Sequence, residues 1–574
     1  LPRRDLPDAA GRDHARAIAL YRKIVAVRGD DWSIWNNLGN ALSAQGEFEE
    51  AAIALERAAK LAPDSAPIQL NFGNALLEAG RLDEAERVLR AATEQFADDP
   101  NPLLSMFSMF RAVGREDEAY EAIREAARRA PQSAPIQSDF GQEAARRNDY
   151  AVAEEAFESA LSLQPGLGPA IVGLASVYER MNREDELDPL RERAIAQKTD
   201  AESLSYVDAL RFKRAGQIDE AFSALEQAGD VVVAGRKHHL RGIMLDRLGR
   251  HDEAFAAFTA MNDHWKEDPS LPVERARVYR QMTADAAALL NAQWVNGVKS
   301  VIPPAPHGSL IFLMGFPRSG TTLLDTMLMA DPRVRVLEEE AFVGMAEHEM
   351  GGMAALPEVS VDRLIEARDA YYERIEAKIG SIDNAIIVDK HPLHLNKVAV
   401  ILRLFPDARF ILALRHPCDV VLSCFLTNFR INNAMANFLD LNDAAALYDL
   451  SFSHWEKARD MLNPAYHTVV YERLVEDTER ELRPLFDWLG LDWPEGKFDH
   501  REAARARGTV ATASYSQVTE PIYKRAAGRW SRYATHLAPV IPVLRPWVER
   551  FGYSLDDGRF EPWPDLMDRA AVIS

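Results

Sequence analysis

Residues 310–322 have the sequence LIFLMGFPRSGTT, in which an apolar run leads into a glycine-rich loop. Gly315, Gly320 and Thr322 occupy the glycine and hydroxyl positions of the phosphate-binding pattern G-x-x-x-x-G-K-[ST], while Thr321 stands where that pattern has lysine. A strand, a glycine loop and a helix in this order present backbone N–H groups and a helix N-terminus to an anion. The stretch therefore predicts a site for a phosphate-like group. The missing lysine disfavours a nucleotide kinase or a nucleoside triphosphatase.

Short apolar runs alternate with helical patterns from about residue 306, which is typical of a parallel sheet with crossover helices. Gly315, Asp389 and Arg415 each stand one residue beyond a predicted strand. Because ligands of such sheets bind at the carboxyl ends of the strands, we expect these three positions to meet at one edge. The predicted strands are 311–314, 385–388, 409–414 and 467–471, and the predicted helices are 322–330, 395–404 and 417–427.

The first half of the chain repeats a pattern of small and large residues about every 34 residues. Gly46, Ala51, Ala58 and Pro63 mark one period of this pattern. It resembles the tetratricopeptide repeat, in which each pair of helices buries its apolar face against the next pair. A glycine or asparagine closes the first helix of each pair in a left-handed conformation, and alanines lie where helices touch closely. The closing positions are Gly46, Gly80, Gly114, Asn148, Asn182, Gly216 and Gly249.

The composition is that of an ordinary globular protein, with 47% hydrophobic and 27% charged residues. The formal net charge is −21 and both halves of the chain are acidic, which argues against a general nucleic-acid binder. Cys418 and Cys424 are the only cysteines, so the sequence excludes a disulfide framework or a cysteine-based zinc site. A reducing, cytoplasmic compartment is expected. No apolar run has the length of a transmembrane helix.

The glycine loop resembles the 5′-phosphosulfate loop of the sulfotransferases that use 3′-phosphoadenosine-5′-phosphosulfate. Arg415, followed eight residues later by Ser423, resembles their 3′-phosphate motif on a strand and the helix after it. This resemblance covers about residues 306–535 and implies that the phosphosulfate is the co-substrate and that no metal is needed. The implied donor-binding residues of the loop are Pro317, Arg318, Ser319, Gly320, Thr321 and Thr322.

Within that superfamily the chain is most similar to the tyrosylprotein sulfotransferases. The segment 332–339 resembles the one that carries their catalytic glutamate, and Glu339 matches that position. Lys390 resembles their conserved lysine after a strand, and Tyr471 resembles a tyrosine that contacts the nucleotide. The resemblance therefore implies an acceptor hydroxyl, of which a protein tyrosine is one example. The repeats also suit bacterial proteins that fuse such an array to a sulfotransferase domain.

The chain departs from the tyrosylprotein enzymes at several points. Those enzymes carry a membrane anchor and disulfides, neither of which is evident here, and their lysine is followed by Asp-Pro rather than by His391 and Pro392. Residues 528–530 resemble the glycine-rich nucleotide segment of cytosolic sulfotransferases instead. The resemblance thus leaves the acceptor class open. Ser514, Ser516 and Lys524 belong either to a second nucleotide-contacting loop or to an ordinary polar surface loop.

Sulfuryl transfer needs positioning and charge stabilisation, together with a base for the acceptor hydroxyl. Glu339 is the predicted base, Lys390 neutralises the leaving group, and Arg318 assists at the phosphosulfate. The alternative for Glu339 is that residues 338–340 form the acidic start of a helix. His391 and His394 are the other candidate bases, since cytosolic sulfotransferases use a histidine near the same lysine.

The expected fold is an N-terminal tetratricopeptide α-solenoid followed by a P-loop-like, parallel-sheet α/β sulfotransferase domain. We expect the repeat array over 1–265, a helical connector over 266–305, the sulfotransferase domain over 306–555 and a C-terminal tail over 556–574. The array recruits a protein or peptide acceptor or partner, or else it forms a homodimer surface. The alternative function is a tetratricopeptide scaffold with a catalytically inactive nucleotide-binding domain.

Overall fold

The computed structural model describes residues 9–298, 302–303, 310–493 and 527–556 of the 574. They form two compact units. The first contains the repeats up to Arg211, except Arg180–Asn182, together with Asp268–Ser270. The second contains Arg180–Asn182, Phe212–Glu267 and the chain from Leu271 onward. The second unit therefore holds the last helices of the array as well as the α/β domain. The domain boundaries expected from the sequence stay predictions.

The array consists of antiparallel helix pairs after a single first helix. The helix pairs recur with the predicted period of about 34 residues. The helices are α1 Ala9–Val25, α2 Trp32–Ala44, α3 Phe48–Leu61, α4 Ala66–Glu78, α5 Leu82–Gln95, α6 Asn101–Ala112, α7 Glu116–Arg129, α8 Ala134–Arg146, α9 Tyr150–Leu163, α10 Gly168–Arg180, α11 Leu187–Ala196, α12 Ala201–Arg214, α13 Ile218–Gln227, α14 Ala234–Arg247 and α15 His251–Lys266.

The helix-closing residues adopt the predicted left-handed conformation. All seven have positive φ angles, from 55° at Asn182 to 79° at Gly46. The alanines at the predicted contact positions are buried; Ala51 and Ala58, for example, expose none of their surface. Gly39 is needed for a close approach, because a Cβ there would lie 2.4 Å from Cγ of Leu55. The tetratricopeptide prediction is therefore confirmed at the level of backbone and packing.

Two helices, α16 Pro272–Leu289 and α17 Ala292–Gly297, follow the array. The α/β domain then contains five parallel strands in the order β2-β3-β1-β4-β5. The strands are β1 Ile311–Gly315, β2 Val334–Glu338, β3 Ile386–Lys390, β4 Arg409–Leu414 and β5 Ala465–Val470. The helices are α18 Thr321–Leu328, α19 Phe342–Glu349, α20 Val361–Ile379, α21 Val398–Leu404, α22 Pro417–Phe425, α23 Leu441–Leu462, α24 Tyr471–Glu476, α25 Thr478–Leu489, α26 Ala534–Leu537 and α27 Ile541–Arg550.

Both faces of the sheet are covered, as the parallel arrangement requires. Along β1, Ile311 and Leu313 belong to one hydrophobic cluster, while Phe312 and Met314 belong to the other. Apolar layers on both faces leave the carboxyl edge of the sheet as the place for polar side chains. None of the described helices has the length and hydropathy needed to cross a membrane.

Three details differ from the sequence-based expectation. The strand β2 was not predicted, because Arg335 and Glu338 interrupt its apolar pattern. Gly315 and Asp389 lie inside their strands rather than one residue beyond them, and only Arg415 follows its strand directly. The predicted helix at 395–404 begins later, at Val398, after a short 3₁₀ turn.

Candidate active site

The glycine loop joins β1 to α18 with two residues in the left-handed region. Arg318 has φ 73° and Gly320 has φ 98°, and Gly320 is the N-cap of α18. A Cβ on Gly315 would lie 2.6 Å from the carbonyl oxygen of Ala413, so only glycine fits where the loop leaves the strand. Similarly, a Cβ on Gly320 would lie 2.6 Å from Cδ2 of Tyr471. The loop is thus bent tightly over the edge of the sheet, with the start of α18 beside it.

The hydroxyl groups of this loop are buried. Ser319, Thr321 and Thr322 are 2%, 4% and 5% exposed. Among the described residues Ser319 Oγ has no hydrogen-bond partner, which is costly for a buried hydroxyl. An anion at the start of α18 would satisfy such a hydroxyl and the unpaired N–H groups of a helix N-terminus. The residues present therefore fit a phosphosulfate group.

Four predicted residues from separate elements meet beside the loop. Arg318 Nε donates to Ser423 Oγ at 3.2 Å, and a terminal nitrogen of Arg415 donates to the Arg318 carbonyl at 3.0 Å. The Arg415 guanidinium also lies 4.7 Å from the ring centroid of Tyr471. Arg415 is only 7% exposed, so its charge acts in a place with little water. The predicted 5′ and 3′ elements therefore form one continuous cluster.

A second cluster surrounds Lys390 at the carboxyl end of β3. Lys390 is fully buried, and its Nζ donates to Glu339 Oε1 at 2.8 Å and to Glu338 Oε1 at 3.1 Å. The sheet register explains the second contact, because Glu338 of β2 pairs with Lys390 of β3. Asp325 Oδ2 on α18 lies 3.7 Å from the same nitrogen. Asp325 was not predicted from the sequence, where it is the one charged residue of a helix that otherwise consists of apolar residues and threonines.

Glu339 is held in place by the backbone as well. Its N–H donates to the Lys390 carbonyl at 2.7 Å, and its φ of 54° turns the chain sharply after β2. The alternative that residues 338–340 begin a helix is wrong, because Glu338 ends β2 and α19 starts only at Phe342. The Glu339 side chain is 36% exposed, against 16% for Glu338. Glu339 thus presents the more accessible carboxylate of the pair.

The electrostatics keep this cluster charged. Burial alone would lower the pKa of Lys390, but the charges of Glu339, Asp325 and Glu338 outweigh it and raise the pKa. Burial would likewise raise the pKa of Glu339. The charge and hydrogen bond of Lys390, with smaller contributions from His391 and Arg318, instead hold it below its ordinary value. The pair is therefore an ammonium and a carboxylate at neutral pH. The charge of Arg318 in the glycine loop also acts on Glu339.

Comparison with known proteins agrees with this geometry. Residues 310–495 match the model of the sulfotransferase family, and residues 9–66 and 44–103 match two tetratricopeptide-repeat models. The chain carries a sulfotransferase-family domain behind tetratricopeptide repeats. The matched domain contains both clusters described above.

Its relatives include tyrosine sulfotransferases. The chain is 27% identical to protein-tyrosine sulfotransferase 1 of Danio rerio over 42% of this chain and 72% of that protein. For the Homo sapiens enzyme of the same name the figures are 29%, 42% and 69%. An uncharacterized protein of Aquifex aeolicus (strain VF5) is 27% identical over 56% of this chain, and the match spans 42% of that protein's length. A tetratricopeptide repeat protein from Parabacteroides merdae aligns with 41% of this chain and 93% of its own, at 16% identity and a TM-score of 0.34.

The two candidate histidines of the sulfotransferase-family domain differ in role. His394 Nε2 lies 3.1 Å from Asp389 Oδ1, and Tyr371 donates its hydroxyl to Asp389 Oδ2 at 2.5 Å. This buried triad braces the end of β3. Burial lowers the pKa of His391 to about 4, with His394 contributing, so its imidazole is neutral at neutral pH. His391 is therefore in the unprotonated form that a base requires, although the lowered pKa makes it a weak one.

Not every predicted site residue can be placed. Ser514, Ser516 and Lys524 lie outside the described residues. Residues 528–530, which resemble the glycine-rich nucleotide segment of cytosolic sulfotransferases, are described. Arg529 in this segment pairs with Asp246 at 3.0 Å.

Proposed function

We propose that the sulfotransferase-family domain moves a sulfuryl group from 3′-phosphoadenosine-5′-phosphosulfate to an acceptor hydroxyl, with a protein tyrosine as the favoured example. The proposal depends chiefly on the contact between Arg318 and Ser423, which joins the phosphosulfate loop to the predicted 3′-phosphate element. A kinase or triphosphatase whose nucleotide has no 3′-phosphate would not use Arg415 and Ser423 in this way. The names of the tyrosine sulfotransferase relatives support the acceptor class.

In this proposal each cluster has one task. The loop hydroxyls and Arg318 hold the 5′-phosphosulfate, while Arg415 and Ser423 bind the 3′-phosphate. Tyr471 supports the Arg415 guanidinium from the side. These contacts place the sulfur in line between the acceptor oxygen and the bridging oxygen of the donor. No step requires a metal ion.

Lys390 and Glu339 then share the proton and charge changes. Glu339 accepts the hydroxyl proton while the acceptor oxygen forms its bond to sulfur. The bond between sulfur and the bridging oxygen breaks, and Lys390 neutralises the charge that develops on that oxygen. The products are a sulfate ester, 3′-phosphoadenosine 5′-phosphate and a protonated Glu339. The 2.8 Å contact of the two side chains supports this division, because a lowered pKa keeps Glu339 deprotonated before reaction.

The repeat array is proposed to recruit the acceptor or another protein partner, in a cytoplasmic protein that does not bind nucleic acid. A homodimer surface is the other use of the same array. Tetratricopeptide arrays bury their apolar faces between units and leave extended surfaces for partners. A scaffold with an inactive nucleotide-binding domain remains the competing function, and it makes a different prediction about nucleotide binding.

Calorimetric titration with three nucleotides tests the proposal. The protein is expected to bind 3′-phosphoadenosine 5′-phosphate at least about 30-fold more tightly than AMP or ATP, since a desolvated charge pair contributes about 2–4 kcal/mol. Equal affinity for AMP would contradict the donor assignment. Transfer of labelled sulfate is then screened over peptide, glycan, lipid and phenol acceptors. Selective nucleotide binding without transfer to any of these would favour the inactive scaffold.

A further inference from the structure

The last helix pair of the array, α14–α15, is bound to the segment 528–536, here called the C-terminal segment. Asp246 near the end of α14 accepts a hydrogen bond from the Tyr533 hydroxyl at 2.5 Å. Its other oxygen pairs with Arg529 at 3.0 Å. The Asp246 side chain is only 15% exposed, so these contacts are largely shielded from water. One carboxylate thus fixes two side chains of the C-terminal segment.

The C-terminal segment is fixed in turn to α22, the helix that carries Ser423. Asp419 of α22 is 1% exposed and accepts the N–H groups of Gly528 at 2.7 Å and of Trp530 at 2.8 Å. Gly528 has φ 72°, which brings its N–H and that of Trp530 to the same carboxylate. Asp419 and Ser423 stand four residues apart, so they share one face of the helix.

The residue before α22 is held by the same segment. The Trp530 ring stacks on the His416 ring, with centroids 5.1 Å apart and planes 17° apart. His416 directly follows Arg415, the proposed 3′-phosphate ligand. The C-terminal segment therefore touches both the start of α22 and the turn that aims Arg415.

The other end of α22 rests on α15. Asn262 is 1% exposed and donates to the Phe425 carbonyl at 3.0 Å. Phe255 stacks on the Phe425 ring, with centroids 5.1 Å apart and planes 19° apart. Phe425 is the last residue of α22, so its terminal carbonyl is satisfied by the array helix rather than by its own turn. Both ends of the helix depend on α14–α15, one of them through the C-terminal segment.

We propose that Asp246 is a positioning residue for the donor site, and that the helix pair α14–α15 helps to position the donor-binding residues of the sulfotransferase-family domain. The inference rests on the proposed function, because it assigns 3′-phosphate recognition to Arg415 and Ser423. Asp246 fixes the C-terminal segment. The segment in turn fixes Asp419 and His416. These two residues then position their neighbours on the same turn and helix, Ser423 and Arg415. Loss of Asp246 loosens the 3′-phosphate element, while β1 and α18 still hold the two ends of the glycine loop.

The test compares two nucleotides across two variants. Asp246→Asn removes the charge that pairs with Arg529, and Tyr533→Phe removes only one hydroxyl. Each variant is expected to bind 3′-phosphoadenosine 5′-phosphate about 5- to 30-fold more weakly, within the usual range of coupling between sites. Affinity for AMP is expected to change by less than about threefold, since AMP has no 3′-phosphate. A general structural defect would weaken both nucleotides alike, and that result would overturn the inference.

Asp252→Asn is the matched control. Asp252 pairs with His536 of the same segment at 2.8 Å, but its side chain is 92% exposed, so its loss is expected to change affinity by less than about twofold. Amide hydrogen exchange gives a second readout without nucleotide: peptides covering 415–425 should exchange faster in Asp246→Asn than in Asp252→Asn. If the wild type does not distinguish the two nucleotides, the proposed function fails. If the wild type distinguishes them and Asp246→Asn and Tyr533→Phe do so equally well, the positioning role fails.

Discussion

The repeat array and the carboxyl edge of the sheet bury opposite kinds of residue. The array core is made of side chains such as Ala51 and Leu55. Among the described residues of the array, Glu143 is the only buried acidic or basic one, and it pairs with Arg146. The sheet edge instead buries Lys390 and Asp325 completely. Burying charges costs several kcal/mol unless partners offset it, and apolar replacements would often be more stable. The array core thus favours stability, whereas the edge accepts a cost that the proposed binding and chemistry would explain.

Removing the central charge is expected to have the largest effect. Lys390→Met leaves Glu338, Glu339 and Asp325 without their cation, so the unfolding free energy should fall by about 3–5 kcal/mol. Turnover should fall by at least about 10³-fold, because the leaving oxygen loses its stabilising charge. Urea unfolding and single-turnover transfer measure the two losses. Lys390→Met combined with Asp325→Asn should recover part of the stability but none of the turnover; recovery of turnover would contradict the role of Lys390.

Glu339→Gln separates chemistry from binding at the same edge. It keeps the size of the side chain and removes its basicity, so kcat should fall by about 10²- to 10⁴-fold while donor affinity stays within a few-fold. Steady-state kinetics and nucleotide titration check the two halves of this statement. Glu340→Gln is the control, since Glu340 pairs with Lys378 instead.

Glu338→Gln is the sharper comparison, because Glu338 also contacts Lys390. It should cost much less turnover than Glu339→Gln, as Glu338 is the less exposed carboxylate. A larger loss for Glu338→Gln would transfer the base assignment to that residue. Near-normal turnover in Glu339→Gln, together with loss in His391→Ala or His394→Ala, would point to a histidine mechanism.

Arg415→Ala tests the other charged cluster of the edge. It should weaken binding of 3′-phosphoadenosine 5′-phosphate by about 2–4 kcal/mol, since it removes one member of a desolvated charge pair. The nucleotide without the 3′-phosphate should lose far less. Titration with both nucleotides decides the matter, and similar losses would show that Arg415 does not recognise the 3′ group.

Features of the fold and the site that depend on local sequence could be predicted, whereas those that depend on contacts between distant residues could not. The left-handed closures from Gly46 to Gly249 and the loop after Gly315 are local backbone demands, so residue type and spacing predicted them. The contact between Glu338 and Lys390 depends on the pairing of β2 with β3. The strand β2 has no clear apolar pattern in the sequence, because charged residues interrupt it. Asp325 and Asp419 act through tertiary partners, which leave no local pattern. Resemblance supplied Glu339 and Arg415, while their partners required the fold.

Crowding in the array is expected to affect stability without affecting chemistry. In Gly39→Ala the added Cβ would lie 2.4 Å from Leu55 Cγ, so the helix pair must shift, at a cost of about 1–3 kcal/mol. Gly80→Ala meets nothing within 4 Å, and its cost, about 1 kcal/mol, comes from the positive φ alone. Urea unfolding should rank the two variants in this order. Donor affinity should be unchanged in both, and a loss of affinity would contradict the separation of stability from function.

The last expected effect is a pH dependence that belongs to the α/β side of the comparison. Burial lowers the pKa of His467 on β5 to about 4, below the ordinary value near 6.5. Between these values the unfolded chain binds a proton that the folded chain does not. The contribution of His467 to folding is therefore complete above pH 6.5, and the unfolding free energy falls as the pH drops towards 4.

His467→Gln removes this proton without adding a charge, and the residue lies beside Trp488 rather than in either charged cluster. The slope of unfolding free energy against pH between 4 and 6.5 should become shallower by up to one proton, or about 1.4 kcal/mol per pH unit. Urea unfolding at several pH values measures that slope. The variant also loses some packing against Trp488, which shifts the whole curve but not its slope. Parallel curves for variant and wild type would show that His467 carries no proton-linked share of the stability, and the acid sensitivity would then belong to other groups of the sheet.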